Sequence, residues 1–251
     1  MDMVRVFSYN ELQTATHKFS EANKIGEGSI GSVFRVICII DHFNGVLGRL
    51  KDGMAVAVKL LHDSKQGRRE FLAELTAISG IVHENLITLV GCCCERSHRI
   101  LVYNYLENKS LADKLLGSSS STIQLSWRAR VKIAIGVARG LAFLHEEIRP
   151  SIIHRDIKAS HILLDKDFTP KVSGFGLTRL LPPITTSMAT RVAGTIGYMA
   201  PEYAIRGQVT KKADIFSFGI VLLEIVSGKC NHDSRLPQED QFLLKRLPFQ
   251  S

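Results

Sequence analysis

The pattern of apolar and polar positions divides the chain near residue 106. Before that point, short apolar or alternating runs predict a glycine-punctuated hairpin at residues 25–33 and strands at residues 55–60, 86–94 and 99–105. A one-sided apolar stripe predicts a helix at residues 66–80; the stripe consists of Phe71, Leu75 and Ile78. Residues 7–20 predict a short amphipathic helix ahead of this β-rich region.

After residue 106 the apolar spacing becomes helical. Ser126 is a candidate N-cap for a helix at residues 127–147, because its hydroxyl can accept a hydrogen bond from an amide that the first turn leaves free. We expect the core-facing side of this helix to carry Val131, Ala134, Ala138 and Leu141.

Thr210 is a candidate N-cap for a second long helix, residues 211–227, which would end at Gly228. Residues 215–226 are apolar nearly all round, which predicts a buried core helix, while its short length and the acidic residues of the helix argue against a membrane span. The predicted fold class is α+β, with a small β-rich lobe that holds one main helix and a mostly helical second lobe.

Composition restricts the classes of function. The 251 residues are 45% hydrophobic and 22% charged, as in globular proteins. A net charge of +8 favours acidic partners, but no basic stripe interleaved with aromatic residues predicts nucleic-acid binding. No run reaches 18 apolar residues and the first five residues do not resemble a signal peptide, so we expect neither a transmembrane segment nor a leader. Five cysteines without C-x-x-C spacing indicate reduced thiols in the cytosol.

Residues 26–33 fit the pattern G-x-G-x-x-G-x-V. Dinucleotide-binding loops share these glycines but lead into a helix, whereas strand-like residues follow here. The sequence therefore favours a hairpin whose backbone amides can approach phosphates. Lys59 lies in a later strand, and Glu74 on the next helix could pair with its ammonium group; Glu70, one turn earlier, is the alternative.

Two further motifs carry candidate chemistry. Residues 154–161 fit H-R-D-x-K-x-x-N, except that His161 stands in place of the asparagine. Residues 174–176 read G-F-G, so Gly174 stands where a D-F-G segment has its aspartate. With the A-P-E of residues 200–202, this order of motifs is similar to the protein kinase superfamily, and most similar to the plant receptor-like serine/threonine kinases.

The resemblance covers about residues 7–244 and implies a bilobal protein-kinase-like fold. Its implied parts are an N-terminal extension (1–18), an N-lobe (19–106) and a C-lobe (107–251). Residues 36–47 would interrupt the N-lobe as an insertion, which we expect to be retained intron sequence. Residues 228–251 are too few for the later helices of the family, so we expect a C-terminally truncated, incomplete C-lobe.

The resemblance also implies roles for individual residues. Asp156 would accept the proton of a substrate hydroxyl, and Lys158, typical of serine/threonine kinases at this place, would contact the transferred phosphate. Arg155 would receive a phosphate carried by the activation segment, residues 185–190. ATP would contact Ile25, Gly26, Gly28, Gly31, Val33, Ala57, Lys59, Glu74, Tyr103, Leu106 and Leu163. Among these, Tyr103 would be the gatekeeper, and residues 104–106 the hinge.

The chain departs from the family where the metal would bind. Magnesium prefers oxygen ligands in a near-octahedral shell. Gly174 offers no side chain, the imidazole of His161 suits zinc or copper better, and Asp165 is the alternative oxygen donor. The loss of one preorganised electrostatic group commonly costs on the order of 100- to 1,000-fold in rate, so two losses predict weak or absent phosphoryl transfer.

Three functional interpretations follow. The first is a pseudokinase or scaffold in receptor-like kinase signalling that binds ATP weakly and without magnesium. The second is an active ATP-dependent serine/threonine protein kinase, and the third is a non-functional truncated gene product. The expected partners are proteins of a receptor kinase pathway and not nucleic acid. The expected location is cytoplasmic, with attachment to the plasma membrane only through partners.

Overall fold

The computed structural model describes residues 4–36, 55–116 and 125–246. The chain divides into two compact units. The N-unit comprises Met1–Val82 and Ile87–Leu106, and the C-unit comprises His83–Leu86 and Glu107–Ser251. A six-stranded sheet dominates the described part of the N-unit, and helices with short two-stranded sheets make up that of the C-unit. The predicted α+β class is confirmed.

The N-unit sheet is mixed. In chain order, the elements of this unit are β1 (Arg5–Val6), α1 (Tyr9–Ala15), β2 (Lys24–Gly28), β3 (Gly31–Val36), β4 (Val56–Leu61), α2 (Lys65–Ile78), β5 (Leu89–Glu95) and β6 (His98–Asn104). The strand order is β1-β5-β6-β4-β3-β2, in which β1 runs parallel to β5 and the other neighbours are antiparallel. The predicted hairpin, strands and main helix are present, with ends shifted by a few residues.

The segment before β2 differs from its prediction. The helix expected at residues 7–20 ends early, because residues 17–19 all adopt positive φ angles that no right-handed helix contains. Ser8 caps its start, accepting a hydrogen bond from the Glu11 amide at 3.2 Å while the Glu11 carboxylate accepts one from the Ser8 amide at 2.6 Å. Phe7 and Leu12 are buried in the core beside the sheet.

Val36 is the last residue of β3 and lies opposite Val56 in β4. Its side chain is only 2% exposed and packs in the core that also contains Val58 and Ile100. The first residue of the predicted insertion is therefore a strand and core residue. Residues 37–47, the rest of that prediction, lie outside the described residues.

Four cysteines fall within the described residues, and all four are free thiols. Cys92 and Cys93 are buried in β5, Cys94 is exposed and Cys230 is half-buried. Burial raises the pKa of the Cys93 thiol to about 11. The buried thiols, Cys92 and Cys93, are therefore protonated at neutral pH, and a protonated thiol is a poor nucleophile. Cys38 lies outside the described residues.

The C-unit is mainly helical. Its elements are α3 (Leu111–Leu116), α4 (Trp127–Ala142), β7 (Ser151–Ile153), β8 (Ile162–Leu164), β9 (Pro170–Val172), β10 (Arg179–Leu181), β11 (Met188–Ala189), α5 (Pro201–Arg206), β12 (Gln208–Val209), α6 (Lys211–Ser227) and α7 (Leu243–Arg246). A wider helical turn, Phe143–Glu147, continues α4. The antiparallel pairs are β7–β10, β8–β9 and β11–β12. Nowhere in the described ranges is a helix both long and apolar enough to cross a membrane.

The buried side of α4 agrees with the prediction at Leu141 but not at Val131 and Ala138. Ser126 caps the helix as predicted, accepting from the Ala129 amide at 3.3 Å. Val131 and Ala138 are exposed, however, and the buried residues are Ile133, Gly136, Val137, Gly140 and Leu141. The reason is close packing: a Cβ at Gly136 would lie 2.4 Å from Cγ of Pro170 in β9. The glycines therefore mark the side that approaches its neighbours, beside an apolar stripe of Ile133, Val137 and Leu141.

The ends of α6 are as predicted. Thr210 accepts a hydrogen bond from the Ala213 amide at 3.3 Å, and Gly228 ends the helix in a left-handed conformation with φ of +65°. The prediction that residues 215–226 form a buried core helix is wrong at two positions, because Ile215 is 57% exposed and Val226 is 60% exposed. The helix is therefore a core element on most but not all of its surface.

Candidate active site

In the N-unit, β4 and α2 bring Lys59 and Glu74 into an ion pair. Glu74 is buried, and its second carboxylate oxygen accepts a hydrogen bond from the Tyr103 hydroxyl in β6. Glu70 accepts instead from the side chain of Gln66 at 3.0 Å, so the predicted pairing with Glu74 is confirmed. Burial, followed by the charge of Glu74, raises the pKa of Tyr103 well above its ordinary value, which keeps its hydroxyl a donor.

Most of the predicted nucleotide-contact residues lie on neighbouring strands of the N-unit sheet. Val33 in β3 faces Lys59 in β4, and Ala57 faces Tyr103 across the β4–β6 pair. The β2–β3 hairpin carries Ile25, Gly26, Gly28 and Gly31. Leu106 is the last residue of the N-unit, and Leu163 belongs to β8 in the C-unit. Their contacts with ATP stay predictions.

Gly31 is the one glycine of this hairpin that close packing demands. A Cβ at Gly31 would lie 2.2 Å from the carbonyl oxygen of Leu60 in β4, whereas added Cβ atoms at Gly26 and Gly28 would meet nothing closer than 3.9 and 4.0 Å. Steric packing therefore explains only the third glycine of the motif. The first two are not required by packing, which is compatible with contact between their backbone and a ligand.

In the C-unit, a buried carboxylate holds the loop that begins at His154. Asp214 is 0% exposed and accepts hydrogen bonds from the amides of His154 and Arg155, both at 2.8 Å. The ring of His145 approaches the same carboxylate at 2.8 Å. The signal for this role in the sequence is an acidic residue, Asp214, in the largely apolar helix α6.

The guanidinium group of Arg155 is hydrogen-bonded to other residues of the C-unit. It donates to the Tyr203 hydroxyl at 3.1 Å and to the carbonyl oxygens of Leu177 and Arg191 at 3.0 and 2.8 Å. The side chain is buried and lies beside the Tyr203 ring. A phosphate on residues 185–190 would therefore have to compete with these acceptors, and the predicted phosphate contact stays a prediction.

Asp156 lies at the centre of a second polar cluster. Its two carboxylate oxygens are 2.6 Å from the Thr195 hydroxyl and 3.2 Å from the Lys158 ammonium, which also donates to Thr195 at 2.8 Å. Burial alone would raise the pKa of Asp156, but His161, Lys158 and the Thr195 hydrogen bond together lower it. Asp156 is therefore a carboxylate at neutral pH. Thr195 was not among the predicted site residues; it lies between Gly194 and Gly197, shortly before the A-P-E of residues 200–202.

His161 presents its ring to the backbone of the same loop. Its Nδ1 lies 2.9 Å from the carbonyl oxygen of Asp156 and 3.4 Å from the carboxylate. A carbonyl oxygen only accepts, so Nδ1 carries the proton. Burial lowers the pKa of His161 to about 4, so the ring is neutral at pH 7.

Gly174 lies directly against this ring. Its φ is +84°, in the left-handed region, and a Cβ added there would lie 2.4 Å from Nδ1 of His161. The next residue, Phe175, is fully buried and makes an edge contact with His154 at a ring-centroid distance of 4.8 Å. The two positions that depart from the motifs are therefore in contact with each other.

Comparison with known proteins decides the family. A model of the protein tyrosine and serine/threonine kinase family matches residues 19–244. The chain belongs to this family. It is 57% identical over 249 residues to Cold-responsive protein kinase 1 of Arabidopsis thaliana, covering 98% of this chain and 61% of that protein. It is 51% identical over 240 residues to a probable LRR receptor-like serine/threonine-protein kinase of the same plant, covering 95% of this chain and 22% of that protein.

These kinases confirm the predicted resemblance to plant receptor-like serine/threonine kinases. The chain spans about three fifths of the first relative and about a fifth of the second. A third, a probable leucine-rich repeat receptor-like serine/threonine-protein kinase of Arabidopsis thaliana, is 51% identical over 239 residues, with 95% and 22% covered. Kinase domains in general use ATP, and ATP is usually delivered with magnesium.

The residues of this kinase domain do not fit a magnesium ion at the two family positions. Gly174 has no side-chain oxygen to offer, and Nδ1 of His161 is already a donor to the Asp156 carbonyl. Asp165, the alternative, uses a carboxylate oxygen to accept from the amides of Asp167 and Thr169 at 3.0 and 2.8 Å, in the turn between β8 and β9. Throughout the described ranges, no three His, Cys, Asp or Glu side chains gather as a metal-binding group.

Proposed function

We propose that this chain is a pseudokinase module of receptor-like kinase signalling that binds nucleotide weakly and transfers phosphate poorly or not at all. The supporting observation is the contact between His161 and Gly174, which stand where the family has its metal-binding asparagine and aspartate. Without oxygen ligands at these positions, the charge of a terminal phosphate lacks its usual counter-ion.

The remaining groups support nucleotide binding better than catalysis. The ion pair with Glu74 positions the ammonium group of Lys59, which could then bind a phosphate. The hairpin glycines Gly26 and Gly28 have no close neighbours that would explain them by packing. Asp156 is ionised and could accept a proton. A proton acceptor contributes to rate only when the phosphate is held in line with the attacking oxygen, and no group of this site replaces the metal in that task.

The second candidate is an active ATP-dependent serine/threonine protein kinase. It is favoured by the cluster of Asp156, Lys158 and Thr195 and by 57% identity to a protein named as a kinase. Protein partners and substrates would then belong to a receptor kinase pathway. The two candidates differ in whether these retained groups suffice without the usual metal ligands.

Transfer of radiolabelled phosphate from ATP to a basic protein and to the chain itself tests the proposal. We expect the wild-type rate, with magnesium or manganese, to equal that of the matched Asp156→Asn variant, because the metal-dependent step is lost already. We also expect ATP to raise the unfolding temperature equally with and without magnesium. Wild-type transfer well above that of Asp156→Asn and abolished by a chelator would establish the second candidate instead.

A further inference from the structure

The contact between His161 and Gly174 is too close for any side chain at position 174. A Cβ at that position would lie 2.4 Å from Nδ1 and 2.6 Å from both Cε1 and Cγ of the imidazole. Attractive contacts between such atoms begin at about 3.5 Å. The ring therefore occupies the volume in which a side chain of residue 174 would begin.

The imidazole is held by a hydrogen bond of its own, and the backbone of His161 is held on both sides. Its Nδ1 donates to the Asp156 carbonyl at 2.9 Å, and the His161 amide donates to the Lys158 carbonyl at 2.9 Å. On the other side, the His161 carbonyl accepts from the amide and the hydroxyl of Ser173 at 2.8 and 3.0 Å. Ser173 precedes Gly174 directly, so the segment that follows β9 and carries Gly174 is hydrogen-bonded to the backbone of His161.

We infer that His161 and Gly174 form one steric unit, in which the imidazole excludes a carboxylate from position 174. Restoring an aspartate at that position alone would not restore a metal site, because it would force the ring and the loop out of place. The steric unit itself is independent of the proposed function. Its consequence rests on that function: a loss of phosphate transfer could not be reversed by changing one of the two positions alone.

Backbone strain must be separated from the steric effect. At φ +84° any non-glycine residue is strained, whatever the neighbouring space. This strain is equal whether residue 161 is histidine or alanine, so it cancels in a double-mutant cycle. Gly80 supplies a matched control, because its φ is +72° and a Cβ there would meet nothing within 4 Å.

The experiment measures unfolding temperatures of Gly174→Ala, His161→Ala and the double variant, beside Gly80→Ala in both backgrounds. We expect Gly174→Ala to lower the midpoint by at least about 3 °C more in the wild-type background than in the His161→Ala background. Gly80→Ala should lower it equally in both backgrounds. Equal losses for Gly174→Ala in the two backgrounds would overturn the inference.

Failure of a variant to fold is also decisive. If only Gly174→Ala fails while the double variant folds, the steric unit is supported. If both fail, the nitrogen NMR spectrum of wild-type His161 decides. A neutral ring with its proton on Nδ1, protected from exchange, supports the fixed imidazole; a proton on Nε2, or a freely rotating ring, refutes it.

The repair experiment distinguishes this inference from the proposed function. Gly174→Asp alone should be less stable than His161→Asn with Gly174→Asp, whatever the rate of phosphate transfer. If the wild-type chain transfers phosphate and this stability coupling persists, the proposed function fails and the steric unit stands. If the coupling is absent and transfer is also absent, the steric unit fails alone.

Discussion

The N-unit and the C-unit differ at the positions where the kinase motifs place their polar side chains. In the N-unit, the buried Glu74 has a charged partner and a hydroxyl partner, Lys59 and Tyr103. In the C-unit, position 161 carries a ring that burial keeps neutral, and position 174 carries no side chain. The N-unit thus has the charged pair that the motifs predict, whereas the C-unit has an imidazole against a glycine at the two positions that depart from the motifs. The difference teaches that the motif side chains of one kinase domain can be present in one unit and substituted in the other.

The largest expected effect would come from breaking the anchor of the C-unit loop. Asp214→Ala leaves the amides of His154 and Arg155 without their acceptor in the core. Each unsatisfied buried donor costs about 1–3 kcal/mol, so we expect a loss of about 4 kcal/mol in the free energy of unfolding, measured by urea titration. Asp214→Asn, which keeps one acceptor oxygen, should lose less. Equal, small losses for both variants would mean that the loop is not held by this carboxylate.

A smaller effect is expected from the N-unit pair. Glu74→Ala removes the partner of both Lys59 and Tyr103, and we expect it to lower the free energy of unfolding by about 2–3 kcal/mol. Glu74→Gln keeps the shape and an acceptor for Tyr103, so it should lose less. Urea titration of both variants provides the measurement. Equal losses for the two variants would show that charge alone, and not hydrogen bonding, holds the pair.

The smallest effect concerns pH. Because burial lowers the pKa of His161 from 6.5 to about 4, the unfolded chain binds this proton first, and stability should fall as pH drops from about 6.5 to 4. The pKa of Asp156 is lowered from its ordinary value of 3.8, so its protonation reduces stability only below the pH range in which His161 acts. His161→Asn should remove at least about 1.4 kcal/mol of this pH dependence, the value of one pKa unit. Urea titrations at pH 7 and pH 4.5 measure it, and an unchanged dependence of the free energy of unfolding on pH would contradict the lowered pKa of the His161 ring.

Local signals explain which parts the sequence predicted. The caps at Ser126 and Thr210 and the stop at Gly228 depend on neighbouring residues, and all three are present. The Lys59 and Glu74 pair was predicted because Lys59 lies in a strand motif and Glu74 near the centre of the next helix, with Glu70 left open as the alternative. These features require no knowledge of which distant segments pack together.

Features set by distant packing escaped prediction. The buried side of α4 follows the close approach of Gly136 to Pro170, 34 positions away in the sequence. The two-residue strand β1 has too few residues for any periodicity, and it exists only because β5 offers an edge. The sequence identified His161 and Gly174 as separate departures, but their contact is a property of the folded chain.

The segment that contains Phe7 and Leu12 has a practical consequence. The family model begins at residue 19, and a recombinant fragment trimmed to that boundary would lose both core side chains and uncover the outer edge of β5. Empty core volume weakens a fold, and an unpaired strand edge invites self-association. The useful boundary for expression therefore lies before Arg5, where the sheet itself begins.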